Sequence, residues 1–317
     1  MASSPKVSIL IPCYNSEEYV SEAIDSALQQ KYEPKEVIVV DDGSDDESFR
    51  KIKYLSDNIK IIRNEVNRGE AYTTNRAIEN ASGELVKILH ADDRLCMDVI
   101  EKQVEKIQKV DTNTIVFGDS KFVTDENGFH HRDKYRPKRK NESHAHYLLK
   151  NNPHPSCLLH RRSLLLKHER FDTSVPMPDY DFHLRLGLAG VQFRYVPGDV
   201  SIIRIHDGPD RVQNQDHFSE EPEGRLNRIQ DRWQRIEEAG MLTEEVQKYL
   251  ARAAWRGGRQ ALRKGYKGLA EDYFGYARGA HPDPVAGSSP AYKWCVQALG
   301  PGPAEKIAAW KRTLVGK

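Results

Sequence analysis

The stretch VSILIPCYN (7–15) decides the fold class of this chain. Its first five residues are rich in β-branched side chains and carry no charge, which is typical of a strand covered on both faces. Asn15 is a candidate helix N-cap, with Glu18 as its capping-box partner. Apolar residues then recur at the spacing of one helix face: Tyr19, Val20, Ala23, Ile24, Ala27 and Leu28. A buried strand followed by an amphipathic helix predicts the first unit of an α/β fold.

The same alternation continues through the first hundred residues. The predicted strands are EVIVV (36–40), IKII (59–62) and LVKIL (85–89), with helices expected near 46–55 and over 71–78. Such alternation predicts a parallel sheet with right-handed crossovers. Polar clusters follow three of the strands, at residues 12–15, 41–44 and 90–93. Since ligands of parallel sheets bind at the carboxyl ends of the strands, these clusters predict a binding site.

The pattern loosens beyond residue 110. Strands are predicted at 114–119 and 193–198, a helix at 179–190, and an exposed basic loop at 129–144. After His206 the chain is rich in helix breakers up to residue 224, and residues 225–280 read as helices with a helical pair ending at Pro282. We therefore expect two domains, 1–215 and 216–317.

Composition narrows the class of protein. Hydrophobic residues make up 38% and charged residues 30% of 317 residues, and no apolar run approaches the roughly 20 residues of a membrane span. The start MASSPK lacks the core of a signal peptide, so we expect a cytoplasmic protein. Its four cysteines form no CxxC pair, which argues against a disulfide framework or a zinc cluster.

Charge is distributed unevenly along the chain. Residues 251–317 hold 12 Lys and Arg against 4 Asp and Glu. This basic tail predicts contact with an anionic partner, for which we expect the cytoplasmic face of a membrane rather than nucleic acid. A solvated helical surface explains the same composition equally well.

Two common nucleotide motifs are missing from the sequence. No GxGxxG follows the first strand and no GxxxxGK[ST] occurs, which disfavours a dinucleotide fold of the usual kind and a P-loop. Instead, Tyr14 could stack on a nucleobase and Asp41 could accept a hydrogen bond from a base N–H. Each also has an ordinary structural explanation, Tyr14 as a rim aromatic residue and Asp41 as a turn former.

The segment ILHADD (88–93) predicts a cation site. Asp92 and Asp93 offer the hard oxygen ligands that suit Mg²⁺ or Mn²⁺, and a diphosphate would complete the shell. His90 could add a nitrogen ligand, which Mn²⁺ tolerates better than Mg²⁺. Two aspartates at a strand end are also common as a turn or an N-cap.

Further candidates lie in MPDYDFHLRL (177–186) and SIIRIH (201–206). Asp179 stands at a helix start, where it could be an N-cap or a general base, and Asp181 faces elsewhere. Arg204 and His206 share one side of a strand and could both reach a phosphate or the metal. Such residues on a strand are otherwise ordinary surface residues.

Taken in order, these segments resemble one family closely, the inverting glycosyltransferases of family 2 with the GT-A fold. The resemblance covers about two thirds of the chain and leaves the C-terminal hundred residues unexplained. It rests on VSILIPCYN, EVIVVDDGSDD, NRGEAYTTNRAI, SGELVKILHADD, PSCLLHRRSLL, FDTSVPMPDYDFHLRL and RIHDGPDR. It implies a Rossmann-like, mostly parallel central sheet flanked by helices, here with a helical C-terminal extension.

The resemblance also implies a chemistry. The donor would be a nucleoside-diphosphate sugar, most often a uridine one, used with Mn²⁺ or Mg²⁺ to transfer a hexosyl or N-acetylhexosaminyl group. The acceptor would be a saccharide or a lipid-linked molecule in cell-envelope polysaccharide biosynthesis. The nucleotide positions match Pro12, Tyr14, Asn15, Asp41, Arg68 and Asp92, the metal positions match Asp93 and His206, and the catalytic base matches Asp179. His90, Asp181 and Arg204 are additional candidates.

Two residues depart from the family pattern. His90 replaces the usual first acid of the metal motif, and Pro178 replaces the acid before the base. These departures motivate an alternative, a catalytically silent sugar-nucleotide binder or assembly subunit. A nucleotidyltransferase on a related fold is disfavoured, because IPCYNSEEY is not the Gly-rich basic loop that such enzymes carry after the first strand.

Overall fold

A computed structural model describes residues 4–124, 128–133, 135–168, 170–175, 177–205, 222–285 and 288–315. The chain divides into two compact units, Met1–Asn214 and Gln215–Lys317.

The first unit is built on a nine-stranded sheet. Its strands are β1 Val7–Cys13, β2 Lys35–Asp41, β3 Lys60–Arg63, β4 Leu85–Ile88, β5 Arg94–Leu95, β6 Thr114–Thr124, β7 Gly128–Asp133, β8 Leu158–Arg161 and β9 Gln192–Ile205. Their order in the sheet is β3-β2-β1-β4-β8-β6-β9-β5, and β7 pairs with β6. The helices are α1 Val20–Leu28, α2 Ser48–Tyr54, α3 Glu70–Asn80, α4 Val99–Gln108, α5 His144–Lys150, α6 Arg162–Lys167 and α7 Pro178–Leu188.

Strand β1 lies at the centre of the parallel half of this sheet. Its central residue Leu10 is in register with Ile38 of β2 and with Ile88 of β4. Alternate side chains enter opposite cores: Ile9 packs on the face with Ile24 of α1, and Leu10 packs on the face with Ile78 of α3. All are fully buried, which explains why an alternation of polar and apolar residues is absent from this strand.

The second half of the sheet is mixed. The long ladder between β6 and β9 is parallel, but β8 runs antiparallel to both of its neighbours, β4 and β6. Strand β5 pairs antiparallel with β9, which places Arg94 opposite Ile202. The parallel sheet predicted from the first hundred residues therefore holds for β1 to β4, and the later strands add antiparallel pairings.

The expected exposed loop at 129–144 is partly wrong. Residues Gly128–Asp133 form strand β7, which continues the sheet beyond β6. Arg136 then donates two hydrogen bonds to the buried carboxylate of Glu142. Charged residues dominate this segment, which is why its sequence indicates a loop.

The second unit is helical, as predicted. Its helices are α8 Pro222–Glu238, α9 Glu244–Arg263, α10 Lys267–Ala280, α11 Pro290–Leu299 and α12 Pro301–Val315. Helices α9 and α10 form the expected pair and approach closely, because a Cβ on Gly257 would lie 2.4 Å from the Tyr273 ring. Among the described residues of both units, no helix has the length and apolar character needed to cross a membrane.

Candidate functional site

Asp41 ends β2 beside the end of β1, with its side chain fully buried. One carboxylate oxygen, Oδ2, lies 3.0 Å from Arg63 Nε and accepts from the Ser44 backbone N–H. No donor among the described residues reaches the other oxygen, Oδ1, although it is buried. A buried acceptor left unpaired is costly, so this oxygen is suited to receive a donor from a ligand.

Asn15 links the two loops that follow β1 and β2. Its backbone N–H donates to Ser44 Oγ at 3.1 Å, and its side-chain oxygen accepts from the Asp45 N–H at 3.1 Å. The predicted N-cap role is wrong, because α1 begins only at Val20 and has no side-chain cap. The Asn15 side-chain amide instead binds the loop after β2. The Asn15 backbone has a φ of 42°, in the left-handed region.

The remaining residues of this strand end are partly enclosed. Pro12 is buried within β1 opposite Val40, and Tyr14 is half-buried directly after the strand. Gly43 turns the chain with a φ of 72°, and a Cβ there would lie 2.8 Å from the Val66 backbone. Only glycine fits this close approach between the loops.

Asp42 positions the loop that carries Arg68. Its Oδ1 accepts from Asn64 Nδ2 at 2.5 Å and from the Arg68 N–H at 3.0 Å, and its Oδ2 accepts from the Gly69 N–H at 2.8 Å. The guanidinium of Arg68 lies 4.4 Å from the Tyr72 ring centroid. The sequence showed the second aspartate only as part of a turn, and this organising role was missed.

His90 follows β4 and pairs with Glu70, the first residue of α3. Their Nε2 and Oε1 atoms are 3.0 Å apart. Burial opposes protonation of His90, but the charges of Glu70, Asp93 and Asp92 outweigh it and raise its pKa to about 10. Burial likewise opposes ionisation of Glu70, and His90 holds its pKa below the usual value.

Asp93 is the buried carboxylate of the site. Its Oδ2 accepts from Ser156 Oγ at 2.7 Å, and its Oδ1 accepts from the Arg204 backbone N–H at 3.2 Å. Burial and then the charge of Asp92 raise its pKa to about 7, against the opposing effects of His90 and the two hydrogen bonds. Because this carboxyl group is hard to ionise, a nearby cation would stabilise its ionised form.

A third residue, His154, joins His90 and Asp93. The three offer ligand atoms that all lie within 4.8 Å of one another. His154 was missed from the sequence, and the metal candidate His206 lies outside the described residues. Nitrogen, nitrogen and carboxylate oxygen form a donor set that fits a first-row divalent cation such as Mn²⁺.

Asp179 lies in the first turn of α7, which begins at Pro178 after the N-cap Met177. The N-cap explanation of Asp179 is therefore wrong, whereas proline at the first helical position is favourable. Burial, and next the charge of Glu70, raise the pKa of the Asp179 carboxyl, and His90 lowers it. Glu70 and His90 therefore lie close enough to Asp179 to affect the ionisation of its carboxyl.

Two additional candidates point elsewhere. Asp181 Oδ2 accepts from Arg185 Nε at 2.7 Å on the same helix, and Arg185 also binds backbone carbonyls. The Arg204 guanidinium reaches Glu22 at 2.9 Å and lies over the Tyr19 ring. Arg204 thus contacts the site through its backbone N–H, which binds Asp93. Asp181 binds Arg185 within α7.

Taken together, the site residues converge at the carboxyl ends of β1, β2 and β4. In α/β proteins, ligands bind at this carboxyl edge of the sheet. The family model described as Glycosyl transferase family 2 matches residues 8–168, so the chain belongs to glycosyl transferase family 2. Its fold is the GT-A fold of that family.

Individual relatives agree with this assignment. An uncharacterized glycosyltransferase of Rickettsia typhi is 33% identical over 64% of this chain and 65% of its own length. TuaG of Bacillus subtilis, named for teichuronic acid biosynthesis, is 35% identical over 32% of this chain and 41% of its own. The chain covers between 18% and 65% of the length of the first curated relatives.

Among solved structures, Staphylococcus aureus TarS residues 1–349 in complex with UDP-GlcNAc resembles this chain with a TM-score of 0.68. The likeness covers 97% of this chain and 92% of TarS 1–349 at 20% identity. At that identity it shows the fold alone.

Proposed function

We propose that this chain is an inverting, metal-dependent glycosyltransferase that moves a hexosyl or N-acetylhexosaminyl group from a nucleoside-diphosphate sugar to a hydroxyl of a saccharide or lipid-linked acceptor. The observation that carries the proposal is the convergence of Asp179 with Glu70 and His90, next to the buried Asp93. A carboxyl of raised pKa, which would act as the base, thus lies beside a candidate cation site, at the strand ends where a nucleotide would bind.

The nucleotide would lie against the ends of β1 and β2. The unpaired Oδ1 of Asp41 offers an acceptor for a base N–H, such as that of uracil. Tyr14 directly follows Cys13, the strand partner of Asp41, and Asp42 accepts a hydrogen bond from the Arg68 N–H. The UDP-GlcNAc bound by TarS is consistent with a uridine donor for this fold.

Asp179 would act as the general base. As the acceptor oxygen attacks the anomeric carbon, the carboxylate would take the hydroxyl proton. Burial and the neighbouring charge of Glu70 raise the pKa of this carboxyl, which makes its ionised form a better proton acceptor. A single displacement on the face opposite the diphosphate inverts the anomeric centre, so one base suffices.

The divalent cation would be held by Asp93 together with the neighbouring histidines, and Asp92 would serve the nucleotide. When bound, such an ion stabilises charge that develops on the leaving diphosphate. The chain's own contribution is to fix Asp93, which Ser156 and the Arg204 N–H hold from two sides.

The proposal is tested with a panel of nucleotide sugars and Mn²⁺, measuring donor hydrolysis and transfer. We expect turnover in the wild type, a loss of at least about 100-fold in Asp179→Asn, and little change in Asp181→Asn. The second variant is a matched control, because it makes the same change two residues further along α7. Nucleotide binding without turnover for any donor would instead support the silent binder.

The two units would have separate tasks. We propose that residues 1–215 form the transferase domain and residues 216–317 a helical extension that contacts a membrane surface. Helix α11 has no buried residue and exposes Trp294, which supports an interfacial role for the basic tail. Unchanged binding to anionic liposomes in Trp294→Ala and after removal of residues 251–317 would contradict this. The cytoplasmic location stays a prediction.

A further inference from the structure

We propose that His90, Asp93 and His154 form one metal centre, with two imidazole nitrogens and one carboxylate oxygen, that takes Mn²⁺ or a later first-row divalent ion in preference to Mg²⁺. This inference rests on the proposed function, because it specifies the ion-binding part of the same site. The residues come from two segments, the end of β4 and the turn before a short 3-10 helix at Pro155–Cys157.

The distance between Asp93 and His154 suits a common ion. The ligand atoms of all three residues lie within 4.8 Å of one another, and His154 Nδ1 is 3.6 Å from Asp93 Oδ2. Two donors that each lie about 2.1 Å from one ion are themselves roughly 3.0 to 3.4 Å apart. Asp93 and His154 therefore need to approach by only a few tenths of an ångström.

The surrounding groups also fit a metal centre. Metal-binding histidines usually donate their second ring N–H to a carboxylate, and His90 Nε2 lies 3.0 Å from Glu70 Oε1. Because Nε2 donates its hydrogen to Glu70, Nδ1 is the nitrogen that would bind the ion. Ion binding at that nitrogen releases any proton there to solvent. Glu70 is thus a positioning residue that fixes the tautomer of His90.

The turn that carries His154 is also held in place by hydrogen bonds. Ser156 accepts from the His90 backbone N–H at 3.2 Å and donates to Asp93, so it joins both segments of the centre. Gln103 binds the Cys157 carbonyl at 2.9 Å from the buried side. These bonds fix the turn that carries His154 relative to the end of β4.

The donor set predicts which ion binds. Mg²⁺ prefers oxygen ligands and retains its waters, so imidazole nitrogens contribute little to its binding. Affinity for mixed nitrogen and oxygen sites rises from Mn²⁺ towards Co²⁺. A site with two nitrogens therefore discriminates against Mg²⁺, whereas Asp92 and Asp93 alone would not.

Pulsed EPR of the full chain loaded with Mn²⁺, without nucleotide and with UDP, tests the donor set. We expect ¹⁴N couplings from two imidazoles, with one lost in His90→Gln and the other in His154→Asn. Without the ion, His154 Nδ1 accepts a hydrogen bond from the Ser156 N–H at 3.4 Å, which an ion bound at Nδ1 would replace, and asparagine retains an acceptor for that N–H. His168→Asn, after the end of α6, is the control and should keep both couplings.

Metal affinity gives a second readout. Equilibrium dialysis should show Mn²⁺ binding that excess Mg²⁺ does not displace, and Glu70→Gln should weaken it by about 10- to 100-fold. Circular dichroism melting shows that each variant is folded. A folded protein that binds no Mn²⁺, or Mn²⁺ bound with UDP and free of ¹⁴N coupling, overturns the donor set, whereas sugar transfer itself is tested by turnover alone. Failure to bind or turn over any nucleotide sugar counts against the transferase, whatever ligands the ion has.

Discussion

Replacing Ser156 with alanine removes the hydroxyl that connects the two segments of the site. This fully buried hydroxyl donates to Asp93 Oδ2 at 2.7 Å and accepts from the His90 N–H at 3.2 Å. A hydrogen bond to a charged group contributes about 1.5–3 kcal/mol and a neutral one about 0.5–1.5 kcal/mol. We therefore expect Ser156→Ala to lower the free energy of unfolding by about 2–4 kcal/mol at pH 8.

The loss should depend on pH. The pKa of Asp93 is raised to about 7, mainly by burial, and the Ser156 bond lowers it. Without that bond the pKa of Asp93 rises further, so the variant loses additional stability as pH increases through 7. At pH 5.5 the carboxyl is protonated and the lost bond is a neutral one. We expect the loss there to be smaller by about 1 kcal/mol.

Urea unfolding at pH 5.5 and 8, with divalent ions chelated, measures both values. Ser201→Ala is the matched control, because this buried hydroxyl lies 2.9 Å from Cys157 Sγ and binds no carboxylate among the residues that the structure describes. The decrease in the free energy of unfolding caused by Ser201→Ala should be equal at the two pH values. A Ser156→Ala loss that is equally independent of pH would refute the role of Ser156 in holding an ionised Asp93.

Three other changes test separate parts of the structure. Burial lowers the pKa of Lys87 to about 7 in the folded protein. Between about pH 7 and pH 10 this amine is therefore mostly neutral in the folded protein and protonated in the unfolded chain. Between pH 7.5 and 8.5 its stability in urea should gain about 1.4 kcal/mol relative to Lys87→Met, and equal pH slopes would contradict this. Asp42→Ala loses three hydrogen bonds and should weaken UDP binding about 10-fold in titration calorimetry, while exposed Asp45→Ala should not. Gly257→Ala should destabilise the protein by about 1–3 kcal/mol in thermal melts, whereas Gly275→Ala, with open space around its Cβ, should not.

The parallel half of the fold could be predicted from the sequence because its signals are local. The run VSILI and the turn DDGSDD each show a buried strand or its end within ten residues. The antiparallel strands β5 and β8 are short and pair with distant segments, so no local pattern reveals them. Register between such strands is set by packing that a single sequence does not display.

The residues of the candidate site also fall into those marked by a local sequence pattern and those placed only by the tertiary fold. Asp41, Asp93 and Asp179 each stand next to a strong strand or helix signal, and their positions could be predicted. His154 precedes a proline in a turn with no periodic pattern, and Ser156 reaches Asp93 across 63 residues of sequence. Their roles depend on the tertiary fold, which brings the turn at Pro155 against the end of β4.

The proposed function depends on direct displacement at the anomeric carbon, with Asp179 as base. Proton NMR of the product, formed from a donor of known anomeric configuration, tests it most directly. Direct displacement predicts the opposite configuration in the first product detected, and no product from Asp179→Asn under the same conditions. A product with the configuration of the donor would require a covalent or ion-pair route, and would contradict the proposed mechanism.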